Sequence, residues 1–256
     1  MTESERLLHQ ALARAMGFSS VIWALKRVLM HGLPHAQTAI TEESRRMWEH
    51  MHRSPESAAW LKLDARGNYA ALFSYLSQTA AGDARDSALA ALRGSELVFY
   101  HALADETALE CCKALVAWDW EECSRWVDRR KVEVSDVLSQ NREDVVRGAL
   151  DIRLRELSRE SLLAKTDLLY AVCQPEDGWT SLEGYSFSRR RLGALDTRRH
   201  EVVHGLSLND CLNLPEEDLT YLSLTSVHLP QLVMARTGVV IDSEFMSTAL
   251  KRGFKV

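Results

Sequence analysis

The chain has 256 residues, 46% of them aliphatic, aromatic or Cys and 26% charged, with a formal net charge of −5. This is ordinary globular usage, and enough chain to bury a core without disulfide or metal staples. The negative balance gives no global positive field to advertise a nucleic-acid partner, so any basic surface has to be local. The N-terminal run MTESERLLHQALARAM carries charges throughout and lacks the apolar block of a signal peptide. No stretch reaches the roughly 18 uninterrupted apolar residues of a membrane span, so no membrane partner is expected and the default location is cytoplasmic. Five cysteines (Cys111, Cys112, Cys123, Cys173, Cys211) form no CxxC pair and no even framework, and read as reduced, buried thiols.

With 12 Gly, 5 Pro and an abundance of Ala, Leu, Arg and Glu, the composition favours helix, and the predicted fold class is all-α, a helical bundle with additional N-terminal helices. In chain order, Gly17 and Gly32 read as helix stops, and Ser54-Pro55 as an N-cap followed by Pro at the first helical position. Gly82 reads as another stop and Asp83 as the next start. A border there divides residues 1–82, an N-terminal helical region of unassigned role, from residues 83–256, a helical bundle with a short C-terminal extension. Leu109, Cys112, Val116, Trp120, Cys123 and Val127 step by three or four residues, which predicts one buried helix face, thickened by Trp118 and Trp126. Trp23, Trp48 and Trp60 are likewise assigned to core packing.

Residues Ser135 to Cys173 read as one long helix or two joined near Ser161. The apolar stripe is Val145, Ala149, Ile152 and Leu163; Arg142, Arg147, Arg153, Arg155 and Arg159 form the polar one. Gln174–Gly184 is the clearest loop. A helix then runs from Ser188 to about Leu206, with a break near Asp196 left open. Leu214–Leu219 reads as a solvated turn and helix start, with Pro215 marking the start. Val239–Ile241 is the one credible strand, too short for a sheet, and Asp242 marks a last helix start. No internal repeat is visible.

The run that carries chemistry is Arg198–Gly205, RRHEVVHG. It satisfies two chemical patterns. In the first, Arg199 and His204 form an Arg-x4-His pair. Metal-free RNA cleavage needs a group of near-neutral pKa to move protons between the 2′-OH and the leaving oxygen, which suits His. It also needs a permanent cation to hold the phosphate as charge builds, which suits Arg with its planar fork of donors. On a continuous helix the two positions lie about 140° apart around the axis. A long Arg side chain can reach round, or a symmetric partner can complete the site. The spacing alone is weak. With nine His and many Arg, chance supplies decoys such as Arg45 to His50 and Arg46 to His52, in a basic turn that could touch RNA or a partner.

In the second pattern, His200-Glu201-Val202-Val203-His204 matches His-Glu-x-x-His. The two His at i and i+4 share a helix face and can bind Zn²⁺ while Glu201 serves as general base. Against it stand two cationic neighbours, Arg198 and Arg199, beside the first ligand. A third ligand is also needed, for which Glu216, Glu217, His228 and Glu244 are candidates, and the β-sheet that usually holds the substrate is missing. A third reading has no chemistry at all: the His and Arg pair on an exposed helix of a non-catalytic RNA- or protein-interaction module, with Val202 and Val203 in the core.

The surrounding sequence FSRRRLGALDTRRHEVVHG resembles the HEPN superfamily of α-helical ribonucleases and nucleotide-binding proteins. Its signature is Arg, a polar residue that is usually Asn, three residues often apolar, then His and frequently Gly, led in by Leu-x-x-Leu. Here Leu192 and Leu195 give the lead-in, Arg199 the arginine, His200 the polar position, Val202 and Val203 the apolar pair, and His204-Gly205 the end. His200 in place of Asn is a departure. The motif covers about 15 residues; the broader likeness extends over about residues 85–235, and the first 80 align to nothing.

The resemblance implies a helical bundle that dimerises so that two motifs face one RNA-binding cleft, with metal-independent endoribonuclease activity and no cofactor. His204 would be the acid/base and Arg199 the phosphate clamp, with Arg198 and His200 positioning the RNA backbone. It further implies a toxin or anti-phage defence effector, with a cognate inhibitor or a defence-system partner. Arg189, Arg190, Arg191, Arg198 and Arg199 lie within eleven residues, a local basic cluster that adds Arg190 and Arg191 as RNA-binding candidates. His9, His31, His35, His101 and His228 have no partner at a telling spacing and read as surface or satisfied core residues. A carboxylate from Asp167, Glu156 or Asp196 could orient the site, and the sequence does not rank them.

Overall fold

The computed structural model describes residues 1–53, 66–127, 141–175, 182, 185–204 and 209–246. Among these every regular element is helical, as the composition requires. The elements are α1 (Glu3–Arg53), α2 (Arg66–Trp118), α3 (Trp120–Cys123), α4 (Arg142–Leu157), α5 (Leu162–Cys173), α6 (Arg189–Val203) and α7 (Glu216–Thr237), with 3-10 turns at Ser124–Trp126 and Asn209–Asn213. No helix among the described residues is long and apolar enough to cross a membrane. Of the sequence expectations, Ser54-Pro55, Trp60, Ser135, most of 174–184 and Gly205 lie outside the described residues. The side chains of Trp48, Arg45, His50 and His52 do too.

Several starts fall where local chemistry places them. The Ser161 hydroxyl accepts from Ala164 N–H and splits 142–173 into α4 and α5. Ser188 accepts from Arg191 N–H at the start of α6, and Pro215 precedes α7. The Asp242 carboxylate takes the N–H groups of Glu244 and Phe245. The Ser161, Ser188 and Asp242 side chains satisfy backbone donors that a helix start leaves open, whereas Pro215 makes no side-chain cap.

The glycine stops do not hold. α1 runs through Gly17 and Gly32, and α2 through Gly82. A glycine inside a helix costs only about 1 kcal/mol against Ala, too little to end a long helix by itself. The border expected at Gly82–Asp83 therefore falls inside α2. By contacts the chain groups instead into one unit of residues 1–21, 96–206 and 215–256, and a second of 22–95 and 207–214. Val239–Ile241 forms no strand. It follows Gly238, whose left-handed backbone (φ 71°) ends α7, and Val240 is exposed.

Most of the buried apolar side chains among the described residues lie in the first unit. Leu8, Ala11, Leu12 and Ala15 of α1 are buried at i, i+3, i+4, i+7 spacing, and Leu97, Ala104, Ala108, Cys111 and Leu115 continue the pattern on α2. Leu150 and Leu157 of α4, Leu162 and Leu169 of α5, Leu192 and Leu195 of α6, and Leu219, Leu222 and Leu229 of α7 complete it. α5 packs against both α6 and α7. The face predicted from Leu109 to Val127 is corrected in two respects. Its helix ends at Trp118, because Asp119 caps α3 and turns the chain, and Trp118 is exposed. Ile152, assigned to the apolar stripe of α4, is also exposed. All five cysteines are buried and outside any disulfide, and burial pushes the Cys123 and Cys173 thiols up to about 12, which disfavours the thiolate that attack or metal binding needs.

In the second unit, Arg93 donates to the Leu212 and Leu214 carbonyls at 2.6 and 3.0 Å, anchoring the turn at Asn209–Asn213. Trp23, expected in the core, is 58% exposed and carries the Arg27 guanidinium 5.1 Å above its ring.

Candidate functional site

α6 carries the RRHEVVHG run at its C-terminal end. The helix is continuous through Asp196 and stops with His204 as its C-cap (φ −86°, ψ 8°), whose N–H donates to the His200 carbonyl at 3.1 Å. Leu192 and Leu195 face the core. Arg199 comes four residues after Leu195, so it continues that inner face, whereas His200 and His204 lie on the exposed one. The His200 and His204 ring centroids are 4.3 Å apart and tilted by 58°. Val202 is only half-buried and Val203 is 49% exposed, so the expectation that both valines belong to the core is not met.

Arg199 is the unusual member. Among the described residues its buried Nε has no hydrogen-bond partner and its guanidinium pairs with no carboxylate. A buried donor left unpaired costs about 1–3 kcal/mol. Part of that is offset by position, since a cation in the last turn of a helix meets the partial negative charge of unsatisfied carbonyls. Arg198, half-buried, also has no ion-pair partner among the described residues.

The first turn of α6 is different. Arg189, Arg190 and Arg191 sit at the positive end of the helix dipole, an unfavourable place for cations. Two of them are neutralised from neighbouring helices. Arg189 forms a two-nitrogen contact with Asp167 of α5 (2.8 and 3.1 Å), and Arg191 meets Asp218 of α7 at 2.7 Å while lying 4.6 Å over the Tyr221 ring. Arg190 is exposed. Arg191 lies eight residues before Arg199, about 12 Å along the axis. The structure thus does not gather the five arginines into one surface, and Asp167 is spent at the far end from His204.

Under this first turn lies an aromatic cluster. Tyr170 stacks on Phe187 at 4.1 Å, Tyr185 on Tyr221 at 5.4 Å, and the His228 ring lies 4.5 Å from Tyr185. The Tyr170 hydroxyl and His228 Nε2 are 2.8 Å apart, and the Tyr221 hydroxyl bonds both the N–H and the carbonyl of Ser188. Burial lowers the His228 pKa to about 4. His228 is therefore a neutral core residue.

That bears on zinc. His200 and His204 offer two donors on one face, yet among the described residues no group of three or more His, Cys, Asp or Glu side chains is arranged to hold a metal ion. Of the candidate third ligands, His228 is committed to the aromatic cluster, and Glu217 and Glu244 are exposed on α7 and beyond it. Among the described residues the donor set stops at two.

One arrangement escaped the sequence. His101 of α2 is buried, and its Nε2 donates to the Asp196 carboxylate, whose other oxygen accepts from Leu163 N–H at 3.3 Å. Asp196 precedes Arg199 by three residues and His200 by four. Of the carboxylates left unranked, Asp196 is the one beside the motif, while Asp167 pairs with Arg189 and Glu156 lies 3.6 Å from Arg153. Comparison with protein-family models, curated proteins and solved structures returned no match for this chain.

Proposed function

We propose that the chain is a metal-independent endoribonuclease of the HEPN type, acting as a homodimer, with Arg199 and His204 as its catalytic pair. The observation that carries this is the state of Arg199, a half-buried cation with no carboxylate partner among the described residues, five positions before the exposed His204. The charge of this half-buried guanidinium is balanced by no carboxylate among the described residues, and an RNA phosphate would balance it as charge builds on its oxygens. In the reaction the RNA 2′-oxygen bonds to phosphorus and the bond to the 5′-oxygen breaks. A neutral imidazole takes the 2′-OH proton, and an imidazolium gives one to the departing 5′-oxygen. Two copies of His204, one from each chain, suit those two roles. Arg198 and His200 flank the phosphate path.

Purified protein should cleave single-stranded RNA in EDTA and leave 2′,3′-cyclic phosphate ends. Both Arg199→Ala and His204→Ala should abolish cleavage. Cleavage that survives both substitutions would refute this site. The toxin or defence setting rests on the family resemblance alone; it predicts growth arrest on expression, relieved by His204→Ala. The His200–His204 ring pair favours the zinc hydrolase as second reading, and one tightly held Zn²⁺ per chain on metal analysis would establish it in place of the first.

A further inference from the structure

Asp196 lies where three helices meet. Its own helix, α6, approaches the N-terminal end of α5 closely: a Cβ built on Gly193 would stand 3.5 Å from Leu163 Cδ2. One turn later the Asp196 carboxylate reaches the same end of α5, accepting from Leu163 N–H at 3.3 Å, while Ser161 takes the next open donor, Ala164 N–H, at 3.2 Å. From the other side, His101 of α2 donates its Nε2–H to the second carboxylate oxygen. His101 is 6% exposed, so it cannot touch a substrate, and Asp196 is mostly covered, with 18% of its side chain exposed. Both acceptor oxygens are therefore used inside the fold, on α2 and on α5.

We propose that Asp196, held by His101, is the positioning residue of the motif: it fixes the rotation and height of the last turns of α6, and so where Arg199, His200 and His204 stand. This rests on the ribonuclease reading for its effect on turnover, and on geometry alone for its effect on the helix. Residues three and four positions apart on a helix share a face, so a fixed Asp196 constrains Arg199 and His200 most directly. A site loosened by an ångström loses catalysis before it loses binding or fold, because oriented groups supply much of the rate. A hydrogen-bonding pair serves better here than an apolar contact, since its two bonds fix direction as well as distance.

The test uses the full chain and three variants. Asp196→Asn keeps an acceptor for Leu163 N–H but weakens the His101 bond. His101→Phe removes that bond, and His101→Gln retains a donor for Asp196. Three quantities are measured: kcat and KM for RNA cleavage, Tm, and amide hydrogen exchange across Arg199–Val203. Asp196→Asn and His101→Phe should each lower kcat about tenfold or more at near-constant KM and Tm, with faster exchange in that turn. His101→Gln should stay within about threefold of wild type. Unchanged kcat and exchange in both damaging variants would overturn the proposal. So would a parallel fall of Tm and kcat that His101→Gln does not reverse, which marks a purely structural contact. If the wild-type chain does not cleave RNA, the ribonuclease reading falls and exchange alone decides. Faster exchange at Arg199–Val203 with unchanged Tm then upholds the positioning role, and unchanged exchange overturns it.

Discussion

The two ends of α6 carry similar charge and treat it in opposite ways. At the N-terminal end three arginines crowd a place unfavourable for cations, and Asp167, Asp218 and the Tyr221 ring absorb two of them. At the C-terminal end the dipole favours cations, yet no carboxylate among the described residues meets Arg198 or Arg199. Asp196 is close by but turns its oxygens to His101 and Leu163. Charge at the first end is consumed in holding helices together; charge at the second has no carboxylate partner among the described residues. A run of arginines in a sequence thus has no fixed meaning until its partners are known.

On the proposed ribonuclease reading, the largest effect that separates the two ends is on catalysis. Arg199→Met should reduce RNA cleavage by about a thousandfold, the scale of losing a main transition-state donor. Arg191→Met should reduce it far less. Steady-state kinetics on one RNA substrate compares them, and equal losses would erase the distinction. Next is acid sensitivity at the structural end. The His228 ring titrates near 6.5 in the unfolded chain and at about 4 in the fold, so the unfolded chain binds the extra proton first. The stability it contributes is whole above pH 6.5 and falls as pH drops through that window, by about 3 kcal/mol at pH 4. Denaturant melts of wild type and His228→Phe between pH 7 and 4 should show the wild-type curve falling more steeply.

Smaller changes test the same contrast in stability. Arg191→Met should cost about 1 kcal/mol, the sum of a half-exposed ion pair and a cation–π contact. Arg199→Met should cost nothing or stabilise, since it removes an unpaired buried donor. Ser188→Ala should cost about 1 kcal/mol through loss of the N-cap. Arg190→Ala, at an exposed position, should stay within about 0.5 kcal/mol. Urea midpoints rank all four, and a destabilised Arg199→Met would mean that the guanidinium has a partner after all.

How much of this was legible depends on the range of the interaction. Helix starts at Ser161, Ser188, Pro215 and Asp242 could be read because a cap acts within three residues. The all-α class followed from composition in the same way. Gly17, Gly32 and Gly82 misled because the penalty of one glycine is small beside the packing of a long helix. Trp23 misled because size suggests burial and position decides it. The Arg199–His204 pair was visible as spacing, but the unpaired state of Arg199 was not. The His101–Asp196 contact joins residues 95 positions apart and left no periodic trace. Arg191 looked like an RNA ligand because its acidic partner, Asp218, lies on another helix.

The five buried cysteines have a practical use of their own. A thiol with a raised pKa and no solvent access reacts with an alkylating or disulfide reagent only when the structure around it opens. Each cysteine is a clock for its own neighbourhood. Cys112 and Cys123 lie on opposite sides of the break at Asp119, and Cys173 closes α5. Their labelling rates, read peptide by peptide in a mass spectrometer, would show whether the core opens as one body or helix by helix, without adding a probe to the chain.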